Sequence, residues 1–389
     1  MESIYSELPI EEAGIRLSRM ERLQSIAVPL CQWYLKEHRD LPWRREVTPY
    51  KVWVSEIMLQ QTRVEAVKPY FARFLEALPD MEALADAPEE LLLKLWEGLG
   101  YYSRVRNMQV AAKQCMEQYG GMLPEEYEQL LTLKGIGTYT AGAIASIAYG
   151  KAVPAVDGNV LRVAARVTAD GENIGQPKKK KQVEEEMKQV MEAEQIAPGV
   201  FNQALMELGA MVCLPNGAPK CDSCPLHGLC LARMRQCTDT IPYKAPKKPR
   251  RIEERTVFLI QAESRYLIRK RPGKGLLAGM YEFPAAEGYL SREEAMEWLQ
   301  EIAGESVLSA GAADTDAAGV EIVDIEALGA ARHIFTHIQW EMEGYRIVLS
   351  RKVENADGLW VTVQELEAQY SLPSAFRAYK EKLNARKNV

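Results

Sequence analysis

The sequence predicts two domains of different class, a mostly α N-terminal region followed by a smaller α/β domain. Three observations predict this. At 389 residues the chain is longer than one hydrophobic core usually serves. Apolar residues recur at helical spacing through the first part of the chain. The stretch Ile241 to Arg255, IPYKAPKKPRRIEER, is proline-rich and basic, and beyond it strand-like alternation takes over. The expected division is 1–240, a linker at 241–255, and 256–389.

Composition narrows the class. A hydrophobic share of 47% and a charged share of 26% are those of a soluble globular protein. No apolar run approaches the roughly 20 residues that span a bilayer, and the first residues, MESIYSELPIEEAG, are acidic and unlike a signal peptide, so a cytoplasmic protein with no membrane partner is expected. The net charge of -6 weighs mildly against a nucleic-acid binder. The acidic residues, however, gather in glutamate-rich helical stretches and in the C-terminal half. Four of the seven cysteines cluster, which in a reducing compartment points to metal and away from disulfides.

Taken in order, Leu17 to Glu37 reads as a helix, ending in the proline-broken loop His38-Arg39-Asp40-Leu41-Pro42-Trp43-Arg44. Thr48-Pro49 opens the next helix, TPYKVWVSEIMLQQTRVEAVKPYF, with proline in its first turn. Val52, Glu56, Leu59, Gln60 and Arg63 share one face of it, and Glu56 is a lone carboxylate beside Trp53, Val54, Ile57 and Met58. Such surroundings raise a carboxyl pKa toward the range of a general acid; an ion pair with Lys51 or Arg63 is the alternative. Trp96 to Asn107, WEGLGYYSRVRN, links two amphipathic helices, and its aromatics, glycines and arginines suit either packing or the wedging of base steps.

Leu131 to Asn159 organises the helical region. Gly135 and Gly137 flank Ile136 in a hairpin whose amide groups can grip a phosphate at a helix N-terminus, or simply join two helices. Asp157 follows a small-residue helix, Thr138 to Tyr149, and is either the cap of Val160 to Val167 or a carboxylate placed to stabilise a cation. In the run Lys178 to Lys181, Lys180 with Glu184 and Lys181 with Glu185 are spaced for pairing on a helix, which reads as a solvated face and carries no site. The helix Phe201 to Ala210 leads to Cys213-x7-Cys221-x2-Cys224-x5-Cys230, a donor set that fits zinc or an iron-sulfur cubane. Cys31 and Cys115 sit in helices and read as core, and Cys237 reads as a plain small side chain. Beyond the linker, Thr256 to Gln261 and Tyr266 to Lys270 form a hairpin, followed by a helix Ser291 to Ala303, strands near Ala331 to Ser350 and Leu359 to Val363, and a final helix Ser374 to Asn388. His333, Phe335 and His337 alternate as in a strand.

These stretches resemble one family. LKGIGTYT followed by Val156-Asp157-Gly158-Asn159-Val160 is similar to the helix-hairpin-helix DNA glycosylases. WVSEIMLQQTRVE and GLGYYSRVRN resemble the adenine DNA glycosylases of the MutY type, and IRKRPGKGLLAGMYEFP with His333-Ile334-Phe335-Thr336-His337 resembles that family's Nudix-like 8-oxoguanine recognition domain. The likeness implies removal of adenine mispaired with 8-oxoguanine or guanine in double-stranded DNA, by a monomer associated with a bacterial nucleoid. It implies that Glu56 protonates N7 of adenine, that Asp157 stabilises the sugar cation, and that Tyr139 and Asn159 hold the site. Trp43, Arg44 and Gln203 would line the adenine pocket, Gln61 and Thr62 would enter the duplex, and Leu99 and Tyr101 would lie at the lesion side. Phe335, Thr336 and His337 would test the opposite base, Gly135 and Gly137 would hold the DNA backbone, and Cys213, Cys221, Cys224 and Cys230 would carry a [4Fe-4S] cluster.

The departures from the family pattern are informative. Tyr139 stands where bifunctional relatives of the endonuclease III type place a lysine, so a monofunctional enzyme is expected. The first cysteine gap is one residue longer than usual, Tyr281 replaces a tryptophan, and Thr336 replaces a serine while keeping the hydroxyl. The glutamate-rich Nudix catalytic box is absent, so pyrophosphate hydrolysis is not expected. The rival readings are a bifunctional endonuclease III-type glycosylase/lyase, opposed by Tyr139 and the C-terminal domain, and a catalytically silent lesion-binding protein, opposed by the presence of both Glu56 and Asp157.

Overall fold

The structure, a computed structural model, describes residues 17–246, 249–303, 307–308, 320–353 and 356–383. The chain groups into two compact units, one of Met1–Ala87 with Arg106–Pro246 and one of Pro88–Val105 with Lys247–Val389. The described helices up to the linker are α1 (Arg19–Ser25), α2 (Ala27–Glu37), α3 (Pro42–Arg45), α4 (Pro49–Leu59), α5 (Val64–Ala77), α6 (Met81–Asp86), α7 (Glu89–Leu95), α8 (Ser103–Gln118), α9 (Tyr127–Thr132), α10 (Thr138–Tyr149), α11 (Gly158–Val167), α12 (Pro177–Glu194), α13 (Pro198–Met211) and α14 (Leu231–Met234). Of these, α7 and the start of α8 belong to the second unit.

In the first unit α13 packs on α2, α10 and α11, while α4 packs on the same α10. The small side chains of α10, including Ala141, Gly142, Ala143 and Ala145, are buried and permit that close approach. Leu23, Leu30, Val163, Val190, Phe201 and Leu205 form the core between α1, α2, α11, α12 and α13.

The second unit is built on a mixed sheet of β1 (Arg251–Ala262), β2 (Arg265–Lys270), β3 (Tyr281–Glu282), β4 (Ala285–Glu287), β5 (Val307–Leu308), β6 (Val320–Ala327), β7 (Ala331–Ile334), β8 (Ile338–Leu349) and β9 (Leu359–Val361). Its order is β3-β2-β1-β8-β6-β5, with β4 on β1, β7 on β8 and β9 on β2. The central β1 and β8 run parallel from Arg251↔Ile338 to Gln261↔Val348. One face buries Phe258, Ile260 and Ile347 against Leu299 of α15 (Arg292–Ala303). The other buries Phe283, Trp340, Phe376 and Tyr379, with α16 (Val363–Gln369) and α17 (Arg377–Lys380) completing the unit.

Several boundaries differ from expectation. The first helix breaks at Ile26, because Pro29 has no amide to donate and its ring opposes the carbonyl four residues back. The helix of Glu56 stops at Leu59, where Gln61 turns left-handed at φ +59, so Arg63 leaves the predicted face and precedes α5. β1 starts at Arg251, ahead of Thr256, because residues 251–255 already pair with β8. His333 is in β7, but Phe335 to His337 form the turn into β8, closed by Phe335 N–H donating to the Ile338 carbonyl at 2.8 Å. The strand at Leu359 ends at Val361 because Thr362 caps α16 with a capping box. Ser374 to Leu383 is a 3-10 turn, Ser374–Phe376, and then α17, tightened at its end by three-residue hydrogen bonds from Lys382 and Leu383. The rest of that predicted helix, 384–388, lies outside the described residues, as do Lys247 and Lys248 of the linker. The lysine run is only partly solvated: Lys179 is buried against Asp170 and Glu172, and the Lys180 ammonium donates to Thr138 Oγ1 at 2.9 Å.

Candidate active site

A cavity of about 530 Å³ opens in the helical unit, and its walls carry Trp43, Arg44, Glu56, Gln61, Thr62, Tyr139, Asp157, Asn159 and Gln203. These come from α3, α4 and the turn after it, α10, the head of α11, and α13. Most of the residues expected to form a base pocket therefore surround one hollow. Its volume is in the range of small-molecule sites and accommodates a purine.

Glu56 is 7% exposed and accepts a 2.5 Å hydrogen bond on Oε2 from the Tyr139 hydroxyl. The ion-pair alternative is not realised with Lys51, which pairs with Glu46. Burial pushes the Glu56 carboxyl up to about 7; the Tyr139 hydrogen bond opposes the rise, the Asp157 charge adds to it, and Arg44 opposes it. A carboxyl of this kind is half-protonated near neutrality, as a general acid requires. Tyr139, half-buried beside two carboxylates, keeps its phenolic proton because burial first and Glu56 second raise its pKa well above the usual value.

Asp157 takes the cap role left open by its sequence position, and it also lines the cavity. Oδ1 caps α11, accepting from Asn159 N at 2.8 Å and Val160 N at 2.9 Å, while Oδ2 accepts from Asn159 Nδ2 at 2.7 Å. Burial raises its pKa, against the lowering effect of these hydrogen bonds. Asn159 is in turn fixed by Arg162, whose Nη2 donates to Asn159 Oδ1 and to the Gly209 carbonyl, both at 2.8 Å. Gly209 has no room for a side chain, since a Cβ there would sit 2.5 Å from Asn159 Cβ.

The Gln203 amide is held at both ends, accepting from the Tyr34 hydroxyl at 3.0 Å and donating to the Gly199 carbonyl at 3.1 Å. A base would meet its second hydrogen or second lone pair. Arg39, Met206 and Glu207 also line the cavity and were not expected there. Gln203, Met206 and Glu207 lie at i, i+3 and i+4 of one helix, which is the signal that could have revealed the last two.

Other predicted residues lie elsewhere. In the hairpin, Gly135 is left-handed at φ +79 and packs so close to Asn107 that a Cβ would approach its Cβ to 2.7 Å; Gly137 is extended, borders open space and precedes α10 without a side-chain cap. In the second unit Tyr101 is 45% exposed, whereas Leu99 is buried at 7%, so Tyr101 is the one of the pair that offers surface. The Tyr101 and Thr336 hydroxyls are hydrogen-bonded at 2.9 Å. Phe335 is pinned edge-on between His333 and Trp340, while Thr336 and His337 are exposed.

Cys213, Cys221, Cys224 and Cys230 line one small hollow of about 20 Å³ together with Arg166, Lys220 and Arg233. Arg166 donates to Cys213 Sγ at 3.2 Å. As the side chains stand, no three His, Cys, Asp or Glu groups among the described residues are gathered closely enough to hold a metal ion. The lengthened gap closes at its base, where the Val212 carbonyl accepts from both Leu214 N at 3.0 Å and Lys220 N at 2.9 Å, so the extra residue bulges outward past Gly217.

Comparison with known proteins gives the family. Residues 54–193 match the HhH-GPD superfamily base excision DNA repair proteins and residues 256–382 match the NUDIX domain. The adenine DNA glycosylase of Homo sapiens is 33% identical, over 90% of this chain and 73% of its own. That of Schizosaccharomyces pombe is 30% identical, over 92% of this chain and 89% of its own. A solved thermostable thymine-DNA glycosylase is 25% identical over 56% of this chain and 98% of its own, with a TM-score of 0.49. With relatives this similar along most of both chains, the protein belongs to the adenine DNA glycosylases, enzymes of DNA base excision repair.

Proposed function

We propose that the enzyme removes adenine mispaired with 8-oxoguanine or guanine from double-stranded DNA by monofunctional hydrolysis. The observation that carries this is the Glu56–Tyr139 pair facing Asp157 in one purine-sized cavity. The target adenine leaves the stack and enters the cavity. With Glu56 Oε2 occupied by the Tyr139 hydroxyl, Oε1 carries the proton delivered to N7. Protonation turns the base into a neutral leaving group, and the C1′–N9 electron pair departs with it. Asp157 faces the cation left on the sugar, electrostatically lowering the barrier before water adds at C1′ and gives up its proton to the Glu56 carboxylate. Trp43, Arg44 and Gln203 hold the base, Gln61, Thr62 and Tyr101 contact the opened duplex, and Phe335, Thr336 and His337 test the opposite base. Gly135 and Gly137 hold the backbone. The chain acts as a monomer in the cytoplasm, at the nucleoid.

The test is an end-labelled A:8-oxoguanine duplex, incubated with the enzyme and resolved with and without alkali. Strand breaks are expected only after alkali, because Tyr139 has no amine to attack the sugar. Borohydride should trap no stoichiometric protein-DNA adduct. Breaks without alkali, with trapping as fast as excision, would establish a lyase and overturn the monofunctional reading.

The four cysteines are a donor set suited to a [4Fe-4S] cluster once drawn together: four thiols line one hollow, and three cations beside them suit an anionic group. Bound there, it would supply a structural brace and a one-electron centre. Purified protein should be brown, absorb broadly near 400 nm and contain about four iron atoms per chain. About one zinc in colourless, anaerobically prepared protein would overturn this assignment.

A further inference from the structure

Glu207 is a buried carboxylate in the cavity wall that the mechanism above does not use. It is 1% exposed, and its oxygens are fully engaged. Oε1 accepts from Arg39 N at 2.9 Å and Arg39 Nε at 2.8 Å, and Oε2 accepts from Arg39 Nη2 at 2.8 Å and Arg44 Nη2 at 2.9 Å. Arg44 is further fixed by donating to the Arg39 carbonyl at 3.1 Å and by lying over the Tyr34 ring at 5.4 Å. The Tyr34 hydroxyl is the donor that holds Gln203. One carboxylate thus anchors three elements of the wall: the loop before α3, α3 itself and α13.

We infer that Glu207 is a positioning residue for adenine excision, fixing Arg39 and Arg44 as a donor-rich and charge-balanced wall against the flipped base. The inference rests on adenine occupying this cavity with Glu56 as its acid. Two consequences follow from the chemistry. Adenine presents the N1 acceptor where guanine carries the N1–H donor, so a wall of anchored guanidinium N–H groups favours adenine. A site that must stabilise a sugar cation also cannot tolerate two uncompensated guanidiniums, and Glu207 neutralises one of them. Burial alone would push this carboxyl up, but the hydrogen bonds from Arg39 and Arg44 hold it down at about 2, so it stays ionised across the working range.

Removal of the Glu207 charge should be read at Glu56. The groups facing Glu56 are Tyr139 from α10, Asp157 at the head of α11 and Arg44 from α3, with Arg39 and Glu207 on the adjoining walls. Without Glu207 the unbalanced positive charge favours the Glu56 carboxylate, which is the inactive form.

The experiment is single-turnover release of adenine from an A:8-oxoguanine duplex between about pH 5.5 and about pH 9, using full-length protein with thermal melting alongside. Wild type should lose activity as pH rises through about 7. Glu207→Gln should move that limb to lower pH by about one unit. Arg39→Gln, which removes a cation and keeps the carboxylate, should move it the other way, and this variant carries the test if Glu207→Gln does not fold. Folded variants that are slower at every pH with the limb unmoved would reduce Glu207 to a structural role and overturn the inference. A wild type with no such limb, together with excision by Glu56→Gln, would instead overturn the underlying assignment of the acid.

Discussion

Glu56→Gln abolishes adenine release within the sensitivity of a single-turnover assay while duplex binding stays near wild type. The amide keeps the shape of the carboxyl and an oxygen for the Tyr139 hydroxyl, which here donates to Oε2 at 2.5 Å. What it lacks is a transferable proton, and general acid catalysis is worth about 10²–10⁴-fold. The residual rate should be independent of pH, because the group whose carboxyl is pushed up to about 7 is gone. Wild-type activity, by contrast, depends on a protonated Glu56 and declines as pH rises through that value. Near-normal excision by Glu56→Gln would remove this residue from the mechanism.

Asp157→Asn should cost about 10²–10³-fold in excision, the size of losing a preorganised electrostatic stabiliser. Its value lies in what it leaves intact. Asp157 Oδ1 caps α11 through Asn159 N and Val160 N, and asparagine caps helices about as well as aspartate. The melting temperature should therefore change little. Asp157→Ala removes both roles and should in addition lose about 1 kcal/mol of stability. If Asp157→Asn excises normally, Asp157 is a cap only; if it unfolds, the cap interpretation of Oδ1 is wrong.

The sequence marked residues of the cavity more clearly than the architecture that supports them. Glu56, Tyr139, Asp157 and Gln203 each stand in a local run whose residue types suit a role, and all four line one cavity. Arg39 and Glu207 escaped because their partnership is long-range: neither residue has a local pattern that marks it, and the carboxylate looks like any helical glutamate until the loop 168 positions away folds onto it. The same limit applies to Asp157: the cap is a local pattern, whereas the cavity that its carboxylate borders is assembled from distant helices. Boundaries failed where a single residue decided the outcome, as Pro29 did at Ile26 and Gln61 did after Leu59. β1 was read as starting late because arginines and glutamates on its first residues conceal a strand that pairs with β8 from Arg251 onward.

Pro88–Val105 lies between two parts of the helical unit in sequence, yet groups with the C-terminal unit in space. The protein therefore cannot be dissected by a single cut. A fragment ending at Pro246 would retain Leu92, Trp96 and Tyr102, all buried in the whole chain, but would lack the residues of 247–389 with which that segment is grouped. Apolar surface stripped of its cover favours aggregation, so poor solubility of such a fragment would report on this threading of the chain and not on the intrinsic stability of the catalytic helices.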